Sequence, residues 1–173
     1  MNEKYIIDQF KKIQNMELVA NTLKGDEFKF NSIILEFQDS INNLTILDLG
    51  CGKGRFCFEL EKRGAKKIIG IEPVADLLPK TIKKKNIRFI LASAYSTTLK
   101  KNSVDVVFLS EVIQHLPRVE LVLNEIKRVL KPKGRLIIFD RNVHALHTKY
   151  FIPIKLWKRY LELGNKWMYK RDG

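Results

Sequence analysis

Five short apolar runs recur through the middle of the chain, separated by stretches of helical length and spacing. They are Thr45-Ile46-Leu47-Asp48-Leu49, Lys67-Ile68-Ile69-Gly70-Ile71-Glu72, Ile87-Arg88-Phe89-Ile90-Leu91, Val104-Asp105-Val106-Val107-Phe108-Leu109 and Arg135-Leu136-Ile137-Ile138-Phe139. Residues 56–62 and 120–130 carry the apolar spacing of helices between such runs. Upstream, residues 5–13 repeat apolar side chains at helical spacing, Gly25 interrupts the pattern, and Asn31 or Ser32 is a fitting cap for a second helix through Ile33, Ile34, Leu35 and Phe37.

Continuous apolar strands alternating with helices predict an α/β fold with a doubly wound, mainly parallel sheet, covered on both faces. Right-handed crossovers place every strand's C-terminal end on one edge, and ligands of such folds bind there. The expected organisation is a single domain over 1–173. Residues 1–43 form an N-terminal helical cap, 44–140 a cofactor-binding core, and 141–173 a basic, aromatic C-terminal segment.

The loop after the first run reads Asp48-Leu49-Gly50-Cys51-Gly52-Lys53-Gly54-Arg55-Phe56. Glycines there turn the chain tightly and let a ligand approach the backbone, at the start of a helix whose N–H groups favour electronegative partners. Glu72 ends the second run, 20 residues after Gly52. A carboxylate at that place can accept hydrogen bonds from both hydroxyls of a ribose. Together the two features point to an adenosine-containing cofactor, a dinucleotide or S-adenosylmethionine (SAM). The glycine spacing is G-x-G-x-G, because Arg55 stands where the dinucleotide fingerprint has its last glycine.

The chain resembles the class I SAM-dependent methyltransferases, of the broad group that includes ubiquinone and menaquinone biosynthesis methyltransferases. The likeness lies in TILDLGCGKGRF at 45–56, IIGIEP at 68–73, SVDVVFLSEVIQHLP at 103–117 and LKPKGRLIIFD at 130–140. It implies a Rossmann-like methyltransferase fold with SAM as cofactor and S-adenosylhomocysteine as product. By that resemblance Gly50, Cys51, Gly52 and Gly54 line the methionine and ribose portion, and Asp48 faces the cofactor's amino end. Glu72 takes the ribose hydroxyls, Pro73 lies against the adenine, and the backbone of Leu109 and Ser110 receives the amino group. The family usually has an aspartate at the position of Ser93, so Ser93 and the backbone of Ala94 are expected to serve the adenine. The antiparallel strand pair that closes the family's sheet has no clear counterpart among the last 33 residues. The expectation is a pair that is abbreviated, missing or lost by truncation.

Methyl transfer from a sulfonium is an in-line displacement in which the cofactor supplies the leaving group, and the protein aligns the reactants and excludes water. Where the nucleophile must lose a proton, His115 is the candidate base, since imidazole titrates near neutrality. Its other reading is packing beside the cofactor. His144 and His147 follow the fifth run and read as loop residues. There is no Asn/Asp-Pro-Pro-aromatic motif and no Pro-Cys nucleophile after the fourth run, which argues against amino- or C5-methylation of DNA bases.

Charge adds a question about partners. The net charge is +13. Residues 1–44 carry 5 basic and 7 acidic groups, residues 45–117 carry 13 and 7, and residues 118–173 carry 14 and 5. Residues 149–173 interleave six aromatics, Trp157 and Tyr160 among them, with seven basic residues. The acceptor is expected to be a small molecule. Alternatives are an RNA or protein methyltransferase holding its polymer with the basic last third, and a non-catalytic SAM-binding domain. An anionic surface is a further possible partner. No apolar run reaches the ~20 residues of a membrane span, and the N-terminus lacks a signal-peptide pattern, so a cytoplasmic location is expected. Cys51 and Cys57 are the two cysteines and are read as reduced thiols. No metal site is expected, and the oligomeric state is left open.

Overall fold

The computed structural model describes residues 41–80 and 84–139. Five strands form one sheet: β1 (Thr45–Leu49), β2 (Lys67–Glu72), β3 (Ile87–Leu91), β4 (Val104–Ser110) and β5 (Leu130–Phe139). Their order is β3-β2-β1-β4-β5, and every pairing is parallel. Among the described residues two helices accompany them, α1 (Arg55–Lys62) after β1 and α2 (Val119–Val129) before β5.

The apolar runs become strands because this sheet is covered on both faces. All five residues of β1 are buried. Successive side chains of a strand point to opposite faces. Ile46 packs with Ile68, Val106 and Phe108 beneath Cys57 and Leu60 of α1. Leu47 and Leu49 pack with Ile71, Val107 and Leu109 beneath Val122, Ile126 and Val129 of α2. The chain leaves β1 toward β2 on one side and returns to β4 on the other. The order therefore reverses at the β1/β4 boundary, where folds of this type hold their ligands.

β1 to β3 begin and end at the predicted residues, β4 runs one residue further, and the helix bounds differ by one residue from those read in the sequence. Two features differ more. β5 starts at Leu130 instead of Arg135: Leu130 pairs with Val104, and pairing resumes at Val106 with Arg135. The intervening residues bulge around Asp105, whose carboxylate accepts from Lys131 Nζ (2.9 and 2.8 Å) and from the Thr45 N–H (2.9 Å). The helix coverage is also thinner than predicted. Among the described residues, the β2–β3 connection holds only the 3-10 turn Ala75–Leu77, and the β3–β4 connection holds no helix. The N-terminal helices, the C-terminal segment with His144 and His147, and the closing strand pair fall outside the described residues.

The helix-free β3–β4 connection is held by α2. Thr97 is fully buried, and its N–H (2.8 Å) and hydroxyl (2.6 Å) both donate to Glu125. Arg128 donates to the same carboxylate from Nε (2.6 Å) and Nη2 (2.7 Å). The Arg128 hydrogen bond, helped by the Thr97 donors, pulls the Glu125 carboxyl from its ordinary 4.5 to about 2. A carboxyl depressed on folding stabilises the protein above its unfolded pKa and loses that contribution as pH falls through the folded one. Glu125→Ala is expected to cost about 2 kcal/mol near neutrality, because it leaves the buried Thr97 donors without an acceptor. The gap to wild type should narrow as pH falls from 4.5 toward 2. Denaturant unfolding across that range checks it, and a gap independent of pH would show that the ionised carboxylate contributes nothing.

Candidate functional site

The predicted cofactor residues of the first βα unit are drawn together at the C-terminal edge of the sheet. The N–H groups of Gly50 and Cys51 both donate to the Ile71 carbonyl (2.8 and 2.9 Å), folding the glycine loop across the end of β2. The Gly52 N–H donates to Glu72 Oε2 (2.9 Å), and the Val74 N–H donates to Oε1 (3.0 Å). The spacing of 20 residues read in the sequence is thus a direct contact between the loop and the carboxylate.

Two of the loop's glycines do different jobs. Both hold positive φ, +50° at Gly52 and +73° at Gly54, a region costly for residues with a Cβ. A Cβ on Gly52 would meet nothing within 4 Å, so its backbone borders open space beside Glu72. A Cβ on Gly54 would lie 2.4 Å from Phe89 Cζ. Gly54 therefore also makes room for core packing at the start of α1.

The site contains two buried carboxylates. Burial pushes Asp48 up to about 7, against a hydrogen bond from Cys57 Sγ (3.4 Å) and with a smaller push from the charge of Glu72. Burial also raises Glu72, while the Gly52 and Val74 N–H groups pull it down. The hydrogen bond with Cys51, then burial and the neighbouring Asp48 charge, push the Cys57 thiol well above its ordinary pKa and keep it protonated. A ligand's phosphates would aggravate the crowding of negative charge here; a cation or a pair of hydroxyls would relieve it.

The other predicted residues fall into place less uniformly. Cys51 is buried, with its sulfur against Gly70, so only its backbone is available to a ligand. Pro73 is exposed directly beyond Glu72. Ser93 is half-buried, and its hydroxyl accepts from the Tyr95 N–H (3.2 Å), shaping its own turn. Ala94 packs partly against the α2-side core. The Leu109 side chain is buried in that core, leaving its backbone alone to serve a ligand. β4 pairs with β1 as far as Phe108, so Leu109 lies level with Leu49 at the end of β1 and Ser110 extends one residue past it on this edge. His115 is half-buried in the 3-10 turn Ile113–His115, and its N–H donates to the Val112 carbonyl (2.9 Å).

Three participants carried no signal in the sequence. Cys57 reaches Asp48 from the first turns of α1, nine residues on. Val112 presses on Gly50, whose missing Cβ would lie 2.5 Å from Val112 Cγ2. Glu111 has φ +58°, and its N–H donates to the Phe139 carbonyl (2.7 Å). Strain of that kind in a non-glycine residue is characteristic of sites whose surroundings fix the backbone.

Comparison with known proteins gives a consistent picture. A family model described as "Methyltransferase domain" matches residues 47–138. The chain is 30% identical over 147 residues to a demethylmenaquinone methyltransferase of Lactococcus lactis subsp. lactis, covering 73% of this chain and 58% of the relative. It is 31% identical over 136 residues to a tRNA U34 carboxymethyltransferase of Ruthia magnifica subsp. Calyptogena magnifica, covering 75% of this chain and 42% of that one. The chain thus spans about half the length of these relatives. The crystal structure of a SAM dependent methyltransferase from Aquifex aeolicus shares the fold, with a TM-score of 0.60 at 22% identity, over 78% of this chain and 77% of that one.

Proposed function

We propose, because this chain belongs to the class I SAM-dependent methyltransferases, that it transfers the methyl group of SAM to a small-molecule acceptor. One observation carries the cofactor assignment: Glu72 and Gly52 are joined at 2.9 Å beside the buried Asp48, with open space over the Gly52 backbone. Two carboxylates suit a ligand that brings hydroxyls and positive charge, as SAM does, and repel a pyrophosphate. When bound, SAM supplies a methyl group already activated by its sulfonium.

The chain's own residues would then divide the work. Glu72 accepts from the ribose hydroxyls, for which each carboxylate oxygen keeps a free lone pair beside its backbone N–H. Asp48 faces the amino end, and the backbone of Gly50, Cys51, Gly52, Gly54, Leu109 and Ser110 lines the methionine and ribose portion. Pro73, Ser93 and Ala94 border the adenine, with the Ser93 hydroxyl proton as the donor left over from its turn. His115 lies on the segment after β4 and is the candidate to hold or accept a proton on the acceptor side. The small-molecule acceptor is supported by the likeness to a demethylmenaquinone methyltransferase. An RNA acceptor is the second reading, favoured by the likeness to a tRNA U34 carboxymethyltransferase and by the net charge. No helix among the described residues is long and apolar enough to cross a membrane, and a cytoplasmic location remains part of the proposal.

Calorimetry with SAM and with NAD tests the assignment. SAM should bind and NAD should not. Glu72→Ala should weaken SAM by about 1–3 kcal/mol, the range for losing charge-assisted hydrogen bonds. An unchanged SAM affinity in a folded Glu72→Ala protein would remove Glu72 from the ribose site.

A further inference from the structure

All five strands are parallel, so their N-terminal ends lie together on the edge opposite the cofactor site. The chain approaches that edge with lysines at four of its five strands. Lys66 and Lys67 open β2, Lys84 and Lys85 precede β3, Lys100 and Lys101 precede β4, and Lys131 and Lys133 lie in the bulged start of β5. Only β1, in the centre, is led in without charge, by Asn42-Asn43-Leu44. Seven of these eight lysines are exposed, and Lys131 is half-buried. At strand spacings of ~4.8 Å the row runs on the order of 20 Å across the sheet. The C-terminal ends of α1 and α2 add Lys62, Arg63, Lys127 and Arg128. The acids nearby are engaged: Glu59 with Lys62 and Arg63, Glu61 with Lys84, Asp105 with Lys131, and Glu125 with Arg128.

We propose that this lysine row docks the protein on an anionic phospholipid surface, leaving the cofactor edge facing away from the bilayer. Three observations favour a bilayer over a nucleic acid. The row consists of lysines, which act as point charges; of these Lys84 and Lys131 are held in ion pairs, as are both arginines of this edge, Arg63 and Arg128. The described aromatic rings are packed in the core or at the cofactor end, as in the pairs of Phe56 with Phe108, Phe58 with Phe89 and Phe108 with Phe139, so no platform for stacking bases is among them. A groove of about 390 Å³ lies between the end of α2 and the start of β5, with Leu123, Ile126 and Leu136 in its lining and Lys127 and Lys131 beside them. Leu123 is 40% exposed there. An apolar spot flanked by lysines suits the boundary of headgroups and acyl chains, with the lysine stems along the apolar surface and the ammonium groups at the phosphates. The docking surface does not depend on the methyl-transfer reading.

Vesicle flotation with the full 173-residue chain tests the proposal. Wild type should bind vesicles of phosphatidylcholine mixed with phosphatidylglycerol, should not bind phosphatidylcholine alone, and should be released by salt. Each lysine near the surface changes the partition coefficient about fivefold. Replacing Lys66, Lys67, Lys100 and Lys101 together by Gln should lower it about a hundredfold or more, with SAM affinity and unfolding unchanged. The same four positions as Arg should retain binding. Equal binding by the Gln variant and wild type would overturn the proposal, as would comparable binding to phosphatidylcholine alone. Loss of binding only when Lys155 and Lys158 are neutralised would move the surface to the C-terminal segment. Duplex RNA binding that depends on the lysine row, without vesicle binding, would make the partner a nucleic acid.

Discussion

Gly52→Val is expected to abolish measurable SAM binding, a loss of at least about a hundredfold, while the protein stays folded. The expectation rests on where a side chain at this position would go. The missing Cβ faces open space, with no atom within 4 Å, so the core has nothing to yield. The cost to the fold is that of a β-branched residue at φ +50°, about 1–2 kcal/mol, or a few degrees in Tm for a domain of this size. The valine methyls would occupy the space over the loop, beside the Glu72 carboxylate that the Gly52 N–H holds. Gly54→Val is the contrasting variant. Its Cβ would sit 2.4 Å from Phe89 Cζ and 3.3 Å from Pro79 Cγ, so it should lose stability first and cofactor as a consequence. Thermal unfolding and calorimetry of the two variants distinguish ligand contact from packing. A folded Gly52→Val protein with SAM affinity near wild type would place the cofactor elsewhere.

The difference between these two glycines marks how far the site was legible in the sequence. The alternation of apolar runs and helical stretches located β1 to β4, because strands buried on both faces must be apolar throughout. The glycine loop and the carboxylate 20 residues on were legible because a βα unit has nearly fixed length, which brings the second strand's end beside the first loop. The role of Gly54 was not, since its neighbour Phe89 lies 35 residues away on β3 and nothing local marks the contact. The start of β5 was hidden for a related reason. Lys131, Pro132, Lys133 and Gly134 lack the apolar side chains that mark a strand, and the Leu130–Val104 pairing and the carboxylate of Asp105 on the neighbouring strand hold them against the sheet. The family pattern marks Ser93 as an expected adenine contact. In the structure its hydroxyl accepts from the Tyr95 N–H, so the serine shapes the turn and keeps only its donor for a ligand. Asp48 was recognised by position, but its protonation depends on burial and on Cys57, neither of which a sequence displays.

That protonation makes the affinity for SAM depend on pH, with a rise toward neutrality that Asp48→Asn should remove. Asp48 is 3% exposed, and burial lifts its carboxyl from an ordinary 3.8 to about 7. Near pH 6 the protein without cofactor therefore keeps most of Asp48 protonated. A cofactor whose ammonium lies beside Asp48 favours the ionised form, so below about 7 binding must expel a proton. The apparent affinity should then climb by up to about tenfold per pH unit as pH approaches 7 from below, and flatten above it. Calorimetry in buffers of different ionisation enthalpy should register a proton released on binding at pH 6 and little release at pH 8. For the protein alone the sign is opposite. The folded pKa lies above the unfolded one, so the contribution of Asp48 to stability is greatest below 3.8 and is lost as pH rises through about 7. Asp48→Asn should accordingly unfold at a higher temperature than wild type at pH 8, with the advantage shrinking toward pH 4, while it binds SAM more weakly at pH 8. Asparagine keeps the shape of the side chain and an oxygen for the Cys57 thiol, so the comparison isolates the charge. Parallel affinity profiles for the two proteins between pH 5 and 8 would remove Asp48 from the cofactor's cationic end.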